Sequence, residues 1–447
     1  MNSIEFQSEA YENLRRGLLA DAPREAAAIL LAGCSTTNNG HRVFVRDLIN
    51  VPADAYSVQS ADQLEIYPSF LAPILKRARG DGTSLVFAHT HPFGGRVRFS
   101  HADDLGESVL MPTIFGRAPN RLHGALVIGP EGFDARLRQS SENELSVERI
   151  REIGRNIKVQ LRDSTSGSAQ PEFDRSVRAF GVVGQNALRQ LCVAIVGLGG
   201  TGSIVAEQFA HLGVGRIILM DNDVLEETNL NRVVGATRGD IGRRKVDIAA
   251  AHVARIRSNS VVKAVFGSVL QSAKAKPLLE ADLIMCCTDS HGSRAVINQI
   301  AYQYFIPTID MGVRIDASNG RVTSITGRVQ MLGPGLPCLQ CHNFLDSEAV
   351  RRDLLSPEER VRDPYIVGEH EPQPAVISLN GTVASLAVSM ALAAITGLSI
   401  NARHQIYRAD QGAVREVESK PVANCIVCSQ QGALGRGDSW PLPWRTA

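Results

Sequence analysis

The chain has almost no net charge. Across 447 residues, 47 Lys and Arg face 46 Asp and Glu, leaving +1. A basic surplus of the kind that coats nucleic acid or anionic lipid is therefore missing, and neither partner is expected. No secretory leader is expected at the start shown, because MNSIEFQSEAYENLRRG (Met1 to Gly17) is polar and acidic. From Pro372 to Ala402 there is no Asp, Glu, Lys or Arg, a stretch long enough to span a bilayer. Yet Pro374, Ser378, Asn380, Thr382, Ser385 and Ser389 interrupt it, and small residues replace the bulk that a span prefers. The expectation is a buried helix in a cytoplasmic protein. No internal repeat is visible.

What is present is ordinary in bulk: 44% hydrophobic and 21% charged residues, with length for two or three cores. The Ser/Thr/Gly-rich stretch RDSTSGSAQPEF, Arg162 to Phe173, reads as a linker. Before it, SVERIREIGRNIKVQL (Ser146 to Leu161) carries apolar residues at helical spacing. The division expected is a first domain at 1–140, a helix and linker at 141–172, and a second domain at 173–447. In the second, LCVAIVG is an apolar strand, SIVAEQFAHLGVG a helix ending at glycine, and RIILMD another strand. That is a β-α-β unit with a parallel sheet, and DLIMCCTD adds a later strand. The first domain reads as mixed α/β. SLVFAHTH and HGALVIG are strands there, while EAAAILLAG fits either a helix or a strand.

Four of the eight cysteines form two C-x-x-C pairs, Cys338/Cys341 and Cys425/Cys428. In a cytosolic chain, two such pairs favour one structural zinc over disulfides or a redox motif. Cys286 and Cys287 lie in an apolar strand and read as packed rather than reactive.

VGLGGTGS, Val196 to Ser203, places Gly197, Gly199 and Gly202 at a strand-to-helix turn where bare backbone can approach phosphates. Asp221 ends the next strand, where an acid would hold a ribose hydroxyl. A dehydrogenase fits equally well up to this point. Beyond it stand Asn229, Arg232 and Lys245, in DNDVLEETNLNR and DIGRRK. Hydride transfer needs no such cations, whereas attack on a triphosphate does. Solvated surface charge is the plainer alternative.

The ordered series VGLGGTGS, DNDVLEETNLNR, DIGRRK, CCTD, PCLQC and CIVC resembles the ThiF/MoeB/ubiquitin-activating enzyme family, from Phe173 onward. FDRSVRAFG is similar to the opening of the eukaryotic activating subunits. The resemblance implies a Rossmann-like adenylating domain that uses ATP and Mg2+ on the C-terminal glycine of a small ubiquitin-like or sulfur-carrier protein. Carried across, Gly197, Gly199 and Gly202 would line the phosphates and Asp221 would hold the ribose. Asn229, Arg232 and Lys245 would contact phosphates, and Asp289 would bind magnesium. Arg175 would be an arginine finger reaching the partner subunit's site, implying a homodimer. The four cysteines would hold the zinc. The family's thioester-forming cysteine has no counterpart between His342 and Asn424. The acyl-adenylate would then pass to sulfide, a persulfide donor or a conjugating enzyme's cysteine.

The last motif is HTHPFGGRVRFSHADD, His89 to Asp104. Residues i and i+2 of a strand face one side, so His89 and His91 can share an ion. Asp103 is the natural third ligand, leaving a fourth position for water, whose pKa zinc lowers to about 7. The plainer reading is a strand end followed by a helix capped by Ser100 and Asp103, and both can hold together. His-x-His-Pro with Ser-x-x-Asp resembles the JAMM signature of JAB/MPN metalloproteases, which cleave after the terminal glycine of ubiquitin-like proteins. That resemblance implies a catalytic zinc, Glu25 as general base and Ser100 as an oxyanion stabiliser. The loop is one residue longer than usual, so Asp103 and Asp104 both stand as ligand candidates. The combined expectation is a bifunctional enzyme of a bacterial ubiquitin-like pathway. The rival readings are adenylation of a small molecule or tRNA, a dehydrogenase, and a scaffold with an inactive JAMM half.

Overall fold

The computed structural model describes residues 1–163, 170–318, 321–356, 359 and 374–445. Most of the expected linker, 164–169, lies outside the described residues. The chain divides into two units. One is Met1–Thr165 with Gln303–Phe305 and Ala433–Pro441; the other is Ser166–Tyr302, Ile306–Gly432 and Leu442–Ala447.

The first unit is built on one mixed sheet. Its elements are β1 (Ser3–Gln7), α1 (Ala10–Leu19), β2 (Ala27–Thr37), β3 (Gly40–Asn50), the hairpin β4 (Tyr56–Gln59) and β5 (Leu64–Ile66), and α2 (Pro68–Asp81). There follow β6 (Ser84–Thr90), α3 (His101–Arg117), β7 (His123–Ile128), β8 (Phe133–Arg138), β9 (Glu144–Ser146), β10 (Arg149–Ile153) and β11 (Ile157–Leu161). The nine-stranded order is β11-β10-β1-β3-β2-β6-β7-β8-β9. Period-2 alternation sorts β2 between two cores: Ala28, Leu30 and Ala32 join Leu14 and Leu18 of α1, while Ile29 and Leu31 join Ile74 and Ala78 of α2 and Ile114 of α3. EAAAILLAG is thus a strand buried on both faces.

The helix expected at 146–161 is a correction. The segment forms β10 and β11, an antiparallel pair in which Ile153 faces Ile157. The helical spacing was produced by a hairpin turn at Gly154–Asn156, and the period-2 signal was masked by buried charge. Arg151 sits mid-strand, fully buried, with Nη1 3.3 and 3.2 Å from the two carboxylate oxygens of Glu5. Residues 433–441, which the sequence division assigns to the second domain, lie in the first unit. There Gly437 bridges Cys34 in parallel, and the Asp438 amide donates to the Cys34 carbonyl at 2.8 Å.

The second unit opens with α4 (Asp174–Gln190), β12 (Cys192–Val196), α5 (Gly200–His211), β13 (Arg216–Asp221), α6 (Lys245–Ile256) and β14 (Val261–Phe266). It continues with α7 (Ser272–Ala275), β15 (Leu283–Cys286), α8 (His291–Gln303), β16 (Thr308–Ser318), β17 (Arg321–Leu332), α9 (Ser347–Leu354), α10 (Ile377–Thr396), β18 (His404–Arg408) and β19 (Ala413–Glu416). The sheet order is β14-β13-β12-β15-β16-β17-β18-β19. The strands from β14 to β16 are parallel, and the remainder antiparallel. Between β12 and β15 the winding reverses, which opens a crevice at the carboxyl ends of those strands. Helix α10 is long and apolar enough to cross a membrane by length and composition. It packs against α5 and β16, burying Val383, Val388 and Met390. Each such side chain contributes about 1.5–3 kcal/mol when removed from water.

Candidate functional site

Three separate sites emerge, one in the first unit and two in the second. In the first, the register Ala27↔His89 aligns β2 against β6, and continuing it two residues sets Glu25 opposite His91. Thr90 reinforces the alignment, its hydroxyl accepting from the Ala26 amide at 2.9 Å. The Ser100 hydroxyl caps α3 by accepting from the Asp103 amide at 3.1 Å, and the Asp103 carboxylate answers by accepting from the Ser100 amide at 2.6 Å. The capping box and the ligand geometry therefore coexist. Asp103 Oδ1 lies 2.8 Å from His89 Nε2, and Oδ2 lies 3.2 Å from His91 Nε2. Glu25 Oε1 lies 3.7 Å from His91 Nε2. Asp104 turns away to Arg136, 2.7 Å distant, so Asp103 is the aspartate that meets both histidines.

The residues fit a zinc ion. His89 is buried with its Nδ1 lacking a hydrogen-bond partner and its Nε2 directed at the Asp103 carboxylate, so the donors converge on one place. Donor atoms of His89, His91 and Asp103 all lie within 4.8 Å of each other. Two imidazoles and a carboxylate form the set of a catalytic zinc with one open position. Burial pushes the Glu25 carboxyl above its usual range. The Ser100 hydroxyl donates to Asp103 Oδ2 at 2.8 Å.

The second unit gathers the four cysteines. Cys338 Sγ lies 3.5 Å from Cys425 Sγ and 3.6 Å from Cys341 Sγ, and Cys341 and Cys428 are 3.4 Å apart. A zinc tetrahedron with arms of about 2.3 Å has edges of about 3.8 Å, so the quartet fits; a disulfide would need about 2.05 Å.

At the crevice, Gly197 takes φ 88°, a left-handed value that glycine adopts freely. A Cβ on Gly202 would fall 1.8 Å from the Gly197 carbonyl, so this glycine is required for the turn to close. At Gly199 a Cβ would meet nothing within 4 Å, which leaves its backbone open to a ligand. The buried Asp221 carboxylate braces the turn, accepting from the Leu198 amide at 2.6 Å and the Asp223 amide at 2.8 Å. Lys245 Nζ bonds Asp223 at 2.8 Å. Arg232 donates to the Thr228 carbonyl at 2.7 Å, and its Cδ borders the space beside Gly200. Asn229 is buried inside a capping box with Glu226. Asp289 is exposed just after β15. Arg175 stands exposed on the first turn of α4, and among the described residues no hydrogen bond or ion pair joins it to the glycine turn. Burial pushes the Cys286 and Cys287 thiols up, consistent with packed rather than nucleophilic roles.

Sequence reading passed over Asp310, Arg294 and Arg328. Asp310 is fully buried on β16, beside Cys286 in register. It is bound by Arg328 and lies 3.2 Å from Arg294 Nε. The signal was an acid inside an apolar strand, which needs a buried cation.

Residues 173–427 match the ThiF family. The chain belongs to the ThiF family. Residues 7–140 match prokaryotic homologs of the JAB domain, so a JAB-like domain precedes the ThiF domain. The molybdopterin-synthase adenylyltransferase of Escherichia coli (strain K12) is 28% identical over 257 residues, 57% of this chain and 93% of that one. Ubiquitin-like modifier-activating enzyme 5 of Arabidopsis thaliana is 31% identical over 172 residues, 34% of this chain. This chain spans only 38% of that plant enzyme's length. The tRNA threonylcarbamoyladenosine dehydratase of Bacillus subtilis (strain 168) is 42% identical over 85 residues, 19% of this chain and 34% of that one.

Proposed function

We propose that the chain is a cytoplasmic two-centre enzyme acting on the C-terminal glycine of a small ubiquitin-like or sulfur-carrier protein. The observation that carries the adenylation half is the glycine turn with Arg232 beside Gly200 and Lys245 held by Asp223 nearby. A carboxylate oxygen of the terminal glycine attacks the α-phosphorus of ATP. The bond from that phosphorus to the β-bridging oxygen breaks, and pyrophosphate leaves with the electron pair. Arg232 and Lys245 stabilise the charge that accumulates on the phosphates. Asp289 is suited to hold Mg2+, which would supply further neutralisation. Arg175 reaches a second subunit's site in a homodimer. A sulfur nucleophile, from sulfide, a persulfide donor or a conjugating enzyme's cysteine, then attacks the acyl carbonyl, and AMP leaves.

The metal half rests on the convergence of His89, His91 and Asp103, with Glu25 at their edge. A zinc ion held by these three would supply Lewis-acid chemistry. Glu25 takes a proton from the attacking water and returns it to the leaving amine, and Ser100 donates to the carbonyl oxygen as charge develops. The products are a free terminal glycine and an amine.

Incubation with α-labelled ATP and a Gly-ended protein tests the first half: label should appear on that protein as acyl-AMP. Cleavage of a Gly-X fusion, lost in Glu25→Gln, tests the second. The similarity to a tRNA-modifying dehydratase supports one rival, adenylation of tRNA. Label on tRNA and none on protein would establish that rival instead.

A further inference from the structure

One buried cation stands beside the histidine site with no part in the metal-binding reading, and the role inferred for it rests on that reading. Arg136 projects from β8 with its side chain only 10% exposed. Its Nη2 donates to Asp104 Oδ1 and to Glu107 Oε1, both at 2.7 Å. Its Nε lies 3.0 Å from each Glu107 oxygen, and its Nη1 reaches Glu144 at 3.3 Å. The flat face of the guanidinium lies on Phe99, with Cζ 3.9 Å from the ring centroid. Phe99 in turn packs near His89, the ring centroids 6.5 Å apart.

Two of these contacts bracket a metal ligand. Phe99 directly precedes the cap residue Ser100, and Asp104 directly follows Asp103. The capping box orients the Asp103 carboxylate within its own helix end, but it does not fix that end against the strand bearing the histidines. Arg136 supplies this link. Its strand β8 pairs with β7, and β7 pairs with β6, so the cation and the histidine strand share one sheet. Asp104 and Glu107, three residues apart on α3, present one helix face to it. Burying a guanidinium costs several kcal/mol unless it is fully paired, and only a rigid five-donor fork satisfies three carboxylates in one arrangement.

We infer that Arg136 is a positioning residue for the metal centre. It locks the first turns of α3 to the sheet, so that Asp103 meets His89 and His91 together. It touches neither ion nor substrate.

The test is metal binding by the full chain, titrated with Co2+ and by zinc competition with a chromophoric chelator. Thiolate-to-cobalt charge transfer reports the four-cysteine site and serves as the internal control. Arg136→Met should weaken the histidine site by about 10–100-fold and alter its ligand-field bands, with the thiolate signal unchanged. Arg136→Lys, which keeps charge but not the fork, should recover only part of the loss. Should Arg136→Met fail to fold, Asp104→Ala and Glu107→Gln each remove one partner, and each should weaken binding by about tenfold. Wild-type affinity and an unchanged ligand-field spectrum in every folded variant would overturn the inference. A wild-type chain that binds cobalt through thiolates alone would overturn the metal-binding reading as well, so the two failures are distinguishable.

Discussion

Glu25 Oε1 lies 3.7 Å from His91 Nε2, set there by the antiparallel register of β2 and β6. A base, two imidazoles and the Asp103 carboxylate therefore come from three elements: β2 and β6, aligned by the sheet register, and the capped first turn of α3, which Arg136 ties to that sheet. The ion that these donors suit determines the first expectation.

The purified chain should carry two zinc ions, one at the histidines and one at the cysteines. His89→Ala and Asp103→Ala should each retain one, by elemental analysis. Asp104→Ala should retain two at saturating zinc, because Asp104 binds Arg136 and does not face the histidines. Loss of a zinc in Asp104→Ala together with retention of both in Asp103→Ala would exchange the ligand assignment.

Much of this was legible from local pattern. LCVAIVG and RIILMD are unbroken apolar runs because parallel strands are covered on both faces, and the glycine turn is fixed by close approach of backbone. His89 and His91 were readable because their spacing matches a strand. What escaped depends on distant partners. Arg151 hides the strand period of β10 because its ion pair is with Glu5, far away in sequence. Likewise, nothing local in RGDSW announces that Gly437 will pair with Cys34. Nothing local in FDARLR marks Arg136 as buried, because Glu107 and Phe99, which enclose it, lie far away in sequence.

The glycines should separate folding from binding. Gly202→Ala drives a methyl into the Gly197 carbonyl and should lower both stability and ATP affinity. Gly199→Ala meets open space. Its Tm should stay within about 2 °C of wild type, while ATP affinity falls by about tenfold or more, as a methyl enters the space left for phosphate. Differential scanning fluorimetry with and without ATP reads both quantities.

Removing the buried acid should be costly. Asp310→Asn leaves Arg294 and Arg328 without their carboxylate and should destabilise the second unit by about 3–5 kcal/mol in urea unfolding. Replacing it with no change in midpoint would mean that the cations find water instead.

His404 gives the pH dependence a direction. Burial first, then the neighbouring His342 and Arg328, pull its ring down to about 4. The folded state holds it neutral, whereas the unfolded chain protonates it near pH 6.5. Its contribution is therefore fully present above about 6.5 and is lost as pH falls toward about 4. The urea midpoint should drop across that window, and His404→Gln should flatten the profile there.

The most direct measurement is ATP–pyrophosphate exchange by the purified full chain with a panel of small proteins ending in glycine. Adenylation of a protein tail requires exchange that depends on one such protein, disappears when its last glycine is deleted, and falls by about tenfold or more in Arg232→Ala. Exchange that ignores every protein tail, or none at all with the complete panel while tRNA supports ATP turnover, would contradict it.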